Sequence, residues 1–283
     1  MRLVSFLAGA RPAYGLVAGE QILDLSAKWG TQYPDLKSFI AAGLPGLREL
    51  AHGAIENRVP LAQVALLPVI PNPDKIVCVG LNYRTHLEET GKDASAHPVI
   101  FLRVANSQQA HGQPLVLPRE SRKFDYEGEL AVVIGRGGRR IAQADAWSHI
   151  AGYSCYNDAS VRDWQVHTSQ WAPGKNFPKT GAFGPWLVTA DEIAPGERLA
   201  LVTRLNGDEV QRSSTDLLIF DIPRIVEYVS AFMPLEPGDV LVTGTPGGVG
   251  AKRNPPLWME DGDVVEVEIE KVGLLRNPVA AEA

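Results

Sequence analysis

The sequence predicts a mainly β protein with some α-helix, made of a small N-terminal α+β domain over residues 1–70 and a larger β domain over residues 71–283. Three observations predict it. Short apolar or alternating runs bounded by Gly, Pro, Asn or Asp recur along the chain, which is the pattern of strands punctuated by turns. Helical periodicity is confined to a few stretches. Pro71-Asn72-Pro73 puts two prolines where neither a helix nor a central strand tolerates them, and so marks a linker between the two parts.

In the first part, LVSFL (3–7), YGLVAG (14–19) and QILDLS (21–26) read as strands, DLKSFIAAG (35–43) and LRELAHGA (47–54) as helical stretches, and VALLPVI (64–70) as a short apolar run. From Lys75 onward strands dominate: KIVCVG, VIFLRV, YEGELAVVIG, IAGYSCYND, GPWLVT, LALVTRLNG, DVLVTG and DVVEVEIEKVG. Helices are expected just after Asn82, over AQADAWSHIA (142–151) and over FDIPRIVEYVSAFM (220–233).

A chain of 283 residues can bury a substantial core, and 45% hydrophobic with 21% charged residues excludes disorder, collagen-like repeats and a coiled coil. The formal charge of -6 comes with no basic stripe, which argues against nucleic acid as a partner; RGGRR (136–140) reads as a hairpin turn. Cys78 and Cys155 stand far apart in apolar segments, as packed small hydrophobes in a reducing compartment rather than a disulfide or a soft-metal pair. No apolar run reaches the roughly 20 residues of a membrane span, and MRLVSFLAGARPAYG reads as a strand and turn rather than a cleaved leader. A cytoplasmic protein is expected.

The strongest chemical signal is acidic. Glu127 and Glu129 stand at i and i+2 in FDYEGELAVVIG, and the two-residue period of a strand projects both carboxylates from one face. Like charges this close repel, so a buried face would need a divalent cation or a proton. Asp158, at the end of the strand run IAGYSCYN, could complete a site. Three hard oxygen ligands without His or Cys favour Mg²⁺ or Mn²⁺, with Ca²⁺ admissible. The alternative is a solvated strand face.

His86 and Glu89 share a face if a helix begins near His86. A carboxylate beside an imidazole orients it and raises its basicity, as a general base requires; the alternative is a surface helix with scattered charge. Lys175, in GKNF after the 167–171 loop, reads as a point charge aimed at an anionic substrate group or a developing oxyanion, or as an ordinary solubilising lysine. The loop TGTPGGVG (243–250) allows backbone to approach a ligand but matches no nucleotide-binding pattern, and a plain tight turn is the alternative. His52, His97, His111, His149 and His167 form no metal-ligand spacing.

Taken in order, NYRTHLEE, DYEGELAVVIG, AGYSCYNDASVRDWQ, GKNF, GPWLVT, LNGDEVQ, PGDVLVTGTPGGVG and PPLWMEDGDVVEVEIEKVG resemble the fumarylacetoacetate hydrolase family, from about Lys75 to about Val279. The N-terminal segment is similar to a small β-rich extension found on many bacterial members. The resemblance implies a mixed β-sheet roll and a homodimer. It implies that Glu127, Glu129 and Asp158 hold a catalytic Mg²⁺ or Mn²⁺, and that His86 and Glu89 form a water-activating dyad on a segment closing over the site. It further implies that Lys175 steadies the substrate or its oxyanion, and that Tyr83, Arg162, Gln165 and Thr245 line the substrate side.

The activity implied is hydrolysis of a carbon–carbon bond in a β-diketo acid, an acylpyruvate or fumarylpyruvate-like anion. Alternatives within the family are decarboxylation, hydration or isomerisation of a 2-oxo acid of the oxaloacetate or 2-oxo-heptenedioate type. A reading of another class is a non-enzymatic module whose acids bind Ca²⁺ structurally. Two departures from the family pattern stand out: Val161 replaces a small residue, and Pro178-Lys179 follows the lysine where many members carry Asp. The lid segment GKDASAHP (91–98) leaves substrate size open.

Overall fold

The computed structural model describes residues 1–43 and 57–283. The helical stretch expected at 47–54, with His52, lies outside the described residues. Most of the expected strands form, and they assemble into two large sheets that share a core, with Phe124–Asp125 and Ser160–Val161 paired as a third, two-stranded one, so the mixed β-sheet roll is the observed architecture.

The main sheet runs from Arg58–Pro60 through Gln21–Asp24, Arg11–Ala18, Arg2–Ala8, Gly181–Thr189, Ile150–Asn157, Gly128–Ile134, Val240–Val242 and Ile76–Gly80 to Val99–Arg103. Along this order the pairs are antiparallel except Val240–Val242 with Ile76–Gly80, which is parallel. The N-terminal strands are part of this sheet: Arg2 pairs with Val188 and Leu3 with Leu187. The second sheet is Asp208–Ser214, Ala200–Leu205, Val264–Ile269, Gly273–Ala281 and Leu115–Leu117.

Gly128–Ile134 explains why its sequence is so continuously apolar. Leu130, Val132 and Ile134 enter one core, shared with Leu201, Val267 and Leu275 of the second sheet. Ala131 and Val133 enter another, shared with Ile76, Cys78 and Val240. A strand covered on both faces has no solvent side to make polar. Cys78 and Cys155 are buried and free, as expected of packed small hydrophobes.

The helix after Asn82 is Arg84–Thr90, ended by Gly91 in the left-handed region at φ 66, where glycine pays no Cβ penalty. Ile222–Phe232 begins at Asp221, whose carboxylate accepts from Arg224 N at 2.9 Å, and buries Ile222, Ile225, Val226 and Val229. Three local expectations change. AQADAWSHIA winds as a 3-10 helix, Gln143–His149, with no side-chain cap at Ala142 to start an α-turn. RGGRR is no tight hairpin: Gly138 bridges Leu235 and Arg140 N donates to Ser230 O, so the connection is spread over the neighbouring helix. The stretch around Lys175, read as loop, contains a one-turn helix at Ala172–Lys175 with proline in its first turn, and another one-turn helix, Arg162–Gln165, precedes it. Among the described residues no helix is long and apolar enough to cross a membrane.

Candidate active site

The register of two central strands assembles the acids. Gly128 pairs with Asn157, so Glu127 and Asp158 leave the ladder side by side, with Asp158 N donating to Glu127 O at 2.9 Å. Glu127 lies one residue before the strand, and Glu129 inside it projects to the same side. Gly128 between them needs to be glycine: a Cβ there would lie 2.1 Å from Thr203 Oγ1 of the second sheet. All three acids are buried, and one oxygen from each lies within 4.8 Å of the others.

Cations surround this cluster. Lys175 Nζ, 1% exposed, donates to Glu127 Oε2 at 2.7 Å and Asp158 Oδ2 at 2.6 Å. Arg162 meets Glu127 Oε1 at 2.6 Å and Asp125 Oδ2 at 2.8 Å, and donates to Gln165 Oε1 at 3.0 Å. Among the described residues its Nη2 is buried with no hydrogen-bond partner. Arg103 Nη1 donates to Asp158 Oδ1 at 2.6 Å. Burial pushes the Glu127 carboxyl up, but Arg162, Lys175 and His86 together outweigh it and hold it at about 2. Glu129 goes the other way: burial, then the charges of Asp158 and Glu127, push it well above the carboxylate range.

That contrast tests the fit of a metal. Four carboxylates, counting Asp125, meet three cations, and Glu129 is the one with no lysine or arginine within ion-pair distance among the described residues. Its Oε2 accepts only a backbone hydrogen bond, from Gly244 N at 2.5 Å. Surplus negative charge on clustered hard oxygen donors suits a divalent cation. With such an ion added, the cluster becomes net positive and attracts an anion.

His86 stands over the same cavity. Its Nδ1 is 2.6 Å from Glu89 Oε1, while Glu89 Oε2 accepts from Gly248 N at 2.8 Å. With Glu89 ionised, Nδ1 carries the proton and Nε2 is left as the basic nitrogen. The cavity, about 280 Å³, is lined by His86, Glu127, Glu129, Asp158, Arg162, Gln165, Lys175 and Thr245 among others. The structure therefore brings together nine of the ten residues singled out in the sequence, Glu89 through its contact with His86.

Tyr83 is the exception. It is 1% exposed and off the cavity wall, because its backbone bridges Leu218 and turns the ring inward. Thr245 does line the cavity, but its hydroxyl donates to Gly128 O at 3.1 Å and accepts from Gln211 Nε2 at 2.8 Å. Lys179 lies exposed in a left-handed turn, φ 57, away from the cavity. Val161 is buried against Phe124, a packing position.

Sequence reasoning missed three supporting residues. Asp125 accepts from Gly250 N at 2.8 Å and Ala251 N at 2.9 Å and holds Arg162; its spacing from Glu127 and Glu129 was the available signal. Gln211 accepts from Gly128 N at 2.9 Å and donates to Thr245 Oγ1 and Pro246 O, clamping the peptide between the two glutamates to the glycine loop. Arg103, at the end of an apolar strand, carried no local signal at all.

The chain is similar to known proteins along nearly its whole length. The family described as fumarylacetoacetate (FAA) hydrolase C-terminal matches residues 75–280. The mitochondrial oxaloacetate tautomerase fahd2 of Xenopus laevis is 38% identical over 287 residues, 99% of this chain and 90% of that protein. The crystal structure of a putative HpcE protein from Mycobacterium smegmatis superposes with a TM-score of 0.89 at 34% identity, covering 100% of both chains. Maleylpyruvate hydrolase from Sphingobium sp. SYK-6, in complex with manganese(II) and pyruvate, gives 0.82 at 32% identity, again covering 100% of both chains. A family match over most of the chain and a relative aligned along nearly all of it leave one assignment: the protein belongs to the fumarylacetoacetate hydrolase family.

Proposed function

We propose that the protein is a metal-dependent tautomerase, or isomerase, of a small 2-oxo dicarboxylic acid, with oxaloacetate the first substrate to test. The observation that carries this reading is the His86–Glu89 pair, 2.6 Å apart, over the same cavity as three carboxylates and the unpartnered Arg162 Nη2. The likeness to an oxaloacetate tautomerase over 99% of the chain supports the choice of reaction. Carbon–carbon hydrolysis, the first expectation from sequence, takes second place.

Mg²⁺ or Mn²⁺ held by Glu127, Glu129 and Asp158 would supply Lewis acidity at the 2-oxo acid oxygens. Arg162 Nη2 receives a substrate carboxylate, satisfying a donor that is otherwise buried without a partner. His86 Nε2 takes a proton from the carbon next to the carbonyl; that C–H bond breaks as the C=C bond forms and the electron pair moves to the carbonyl oxygen. Glu89 stabilises the imidazolium formed, and Lys175 contributes positive charge near the developing enolate oxygen. Return of that proton from the imidazolium to the enolate oxygen gives the enol and restores neutral His86, and the reverse path returns the ketone.

Hydrolysis keeps a place because the same dyad can activate water, and a maleylpyruvate hydrolase shares the fold. The deciding experiment follows oxaloacetate keto–enol exchange and acylpyruvate cleavage in parallel, with Mn²⁺, with Mg²⁺ and after chelation. Metal-dependent exchange without cleavage supports the tautomerase. Release of pyruvate and a second carboxylic acid from acylpyruvates replaces it with the hydrolase. A cytoplasmic homodimer completes the proposal: Leu102 and Val104 are 47% and 50% exposed and offer apolar surface for a subunit contact, which sedimentation tests.

A further inference from the structure

The loop 243–250 holds the dyad but does not hold itself. Gly247 and Gly248 stand side by side in it, and Gly248 sits at φ 103, in the region that favours glycine. Gly248 N donates to Glu89 Oε2 at 2.8 Å, and Glu89 Oε1 in turn meets His86 Nδ1 at 2.6 Å. Gly247 N bonds Thr85 Oγ1 of the same helix, so both amides look to the helix and leave the loop to be anchored elsewhere.

Two side chains meet on Gly248 O. The Tyr126 hydroxyl donates to it at 3.1 Å and Arg253 Nε at 3.2 Å, while Arg253 Nε also donates to the Tyr126 oxygen at 3.0 Å. Burial pushes the Tyr126 phenol up to about 12, so it stays a donor at any working pH. The far end of the guanidinium donates through Nη2 to Val210 O at 2.6 Å, on the strand Asp208–Ser214 of the second sheet. Gly248 is pressed against the same carbonyl: a Cβ on it would lie 2.3 Å from Val210 O. Arg253 thereby bolts a permissive stretch of backbone to a sheet strand.

The other anchors of this loop also serve the floor of the cavity. Gln211 bonds Thr245, Pro246 and the Gly128 peptide, and Asp125 bonds Gly250 and Arg162. Among the described residues the Arg253 side chain bonds Gly248, Val210 and Tyr126, and none of the three acids or their cations.

We infer that Arg253 is a positioning residue for proton transfer: by fixing Gly248 it fixes the amide that orients Glu89, and through Glu89 the tautomer and aim of His86. This rests on the reading of His86 as the base that acts on a 2-oxo acid.

The test compares Arg253→Met, Arg253→Lys, Glu89→Gln and the double variant of Arg253→Met with Glu89→Gln, all loaded with Mn²⁺. Arg253→Met should lower kcat for oxaloacetate keto–enol conversion by about tenfold, the scale of one lost orienting hydrogen bond, with KM and Mn²⁺ affinity unchanged. Added to Glu89→Gln it should cost less than about a further twofold, because both changes interrupt one chain of contacts. Arg253→Lys keeps the charge but cannot reach Gly248 O and Val210 O together, and its kcat should stay within about threefold of that of Arg253→Met. Arg253→Lys also carries the same cycle if Arg253→Met does not fold. Amide hydrogen exchange, which needs no turnover, should quicken about tenfold over 84–90 and 243–250 in Arg253→Met and stay unchanged over Gly128–Ile134. Full additivity with Glu89→Gln, full activity in Arg253→Lys or a fall in Mn²⁺ affinity overturns the inference. Unchanged amide exchange overturns it as well, whether or not the wild type turns over a 2-oxo acid. Failure of the wild type to convert any 2-oxo acid overturns instead the reading on which it rests.

Discussion

The floor of the cavity and the helix above it are held by different forces. On the floor, Glu127, Glu129 and Asp158 are buried, and Lys175, Arg162 and Arg103 lock Glu127, Asp158 and Asp125 through contacts of 2.6–2.8 Å, leaving Glu129 as the acid they do not pair. The helix Arg84–Thr90 reaches the glycine loop through Gly247 N donating to Thr85 Oγ1 at 3.1 Å and Gly248 N donating to Glu89 Oε2 at 2.8 Å. The floor is built from charge balance in low dielectric, where removing one member leaves the others unpaired. The helix is tied down by two single hydrogen bonds from backbone amides of the glycine loop, where removing one acceptor leaves no buried ion pair broken and changes mainly proton transfer. Binding and proton transfer should therefore separate by mutation.

The largest effect belongs to the floor. Asp158→Asn leaves Lys175 and Arg103 short of a counterion and should cost about 3–5 kcal/mol of stability, together with loss of Mn²⁺ binding by calorimetry. A variant that stays stable and still binds metal breaks the distinction. Next is His86→Gln: kcat should fall by about 10²–10⁴, while Mn²⁺ affinity and Tm stay at wild-type values. A matching fall in metal affinity would join the two regions into one unit. Glu89→Gln is milder, about tenfold in kcat, because the amide oxygen can still accept from Gly248 N or His86 Nδ1 but no longer from both.

The smallest effect is a pH slope. Glu129 has its folded-state pKa raised, so the stability it contributes is complete at low pH and is lost as pH rises through that value. Glu127, held at about 2, is fully ionised above the normal carboxylate range and adds no slope there. The metal-free protein should thus lose a few degrees of Tm between mildly acidic and mildly alkaline pH, and Mn²⁺ should remove the decline. A Tm that rises over this interval without metal would show Glu129 to be paired.

How far the site could be read in the sequence follows the same division. Glu127 and Glu129 were legible because strand periodicity is local, and Asp158 because a strand end is. His86 and Glu89 were legible through helical spacing. Asp125 obeys the same alternation, but its part, holding Arg162 against Glu127, depends on partners that only the fold brings to it. Arg103 and Gln211 were illegible for a deeper reason: their partners are Asp158 and the Gly128 peptide, and only the order of strands in two sheets brings them together. Tyr83 sits within the motif that carries His86, yet proximity in sequence did not place it on the wall. The fold class came through because turn residues punctuate the strands; the 3-10 course of Gln143–His149 did not, because its periodicity reads as a helix while Ala142 supplies no side-chain cap to start an α-turn.

The pairing of Arg2–Ala8 with Gly181–Thr189 has a bearing on how the protein can be handled. A fragment begun after Pro73 would contain every residue lining the cavity, yet the Leu187–Val188 end of a long, largely buried strand would lose its partners Leu3 and Arg2. Bare strand edges recruit other chains. The strand Arg2–Ala8 thus serves as an edge guard, and a shortened protein should fail by clumping before it fails in chemistry.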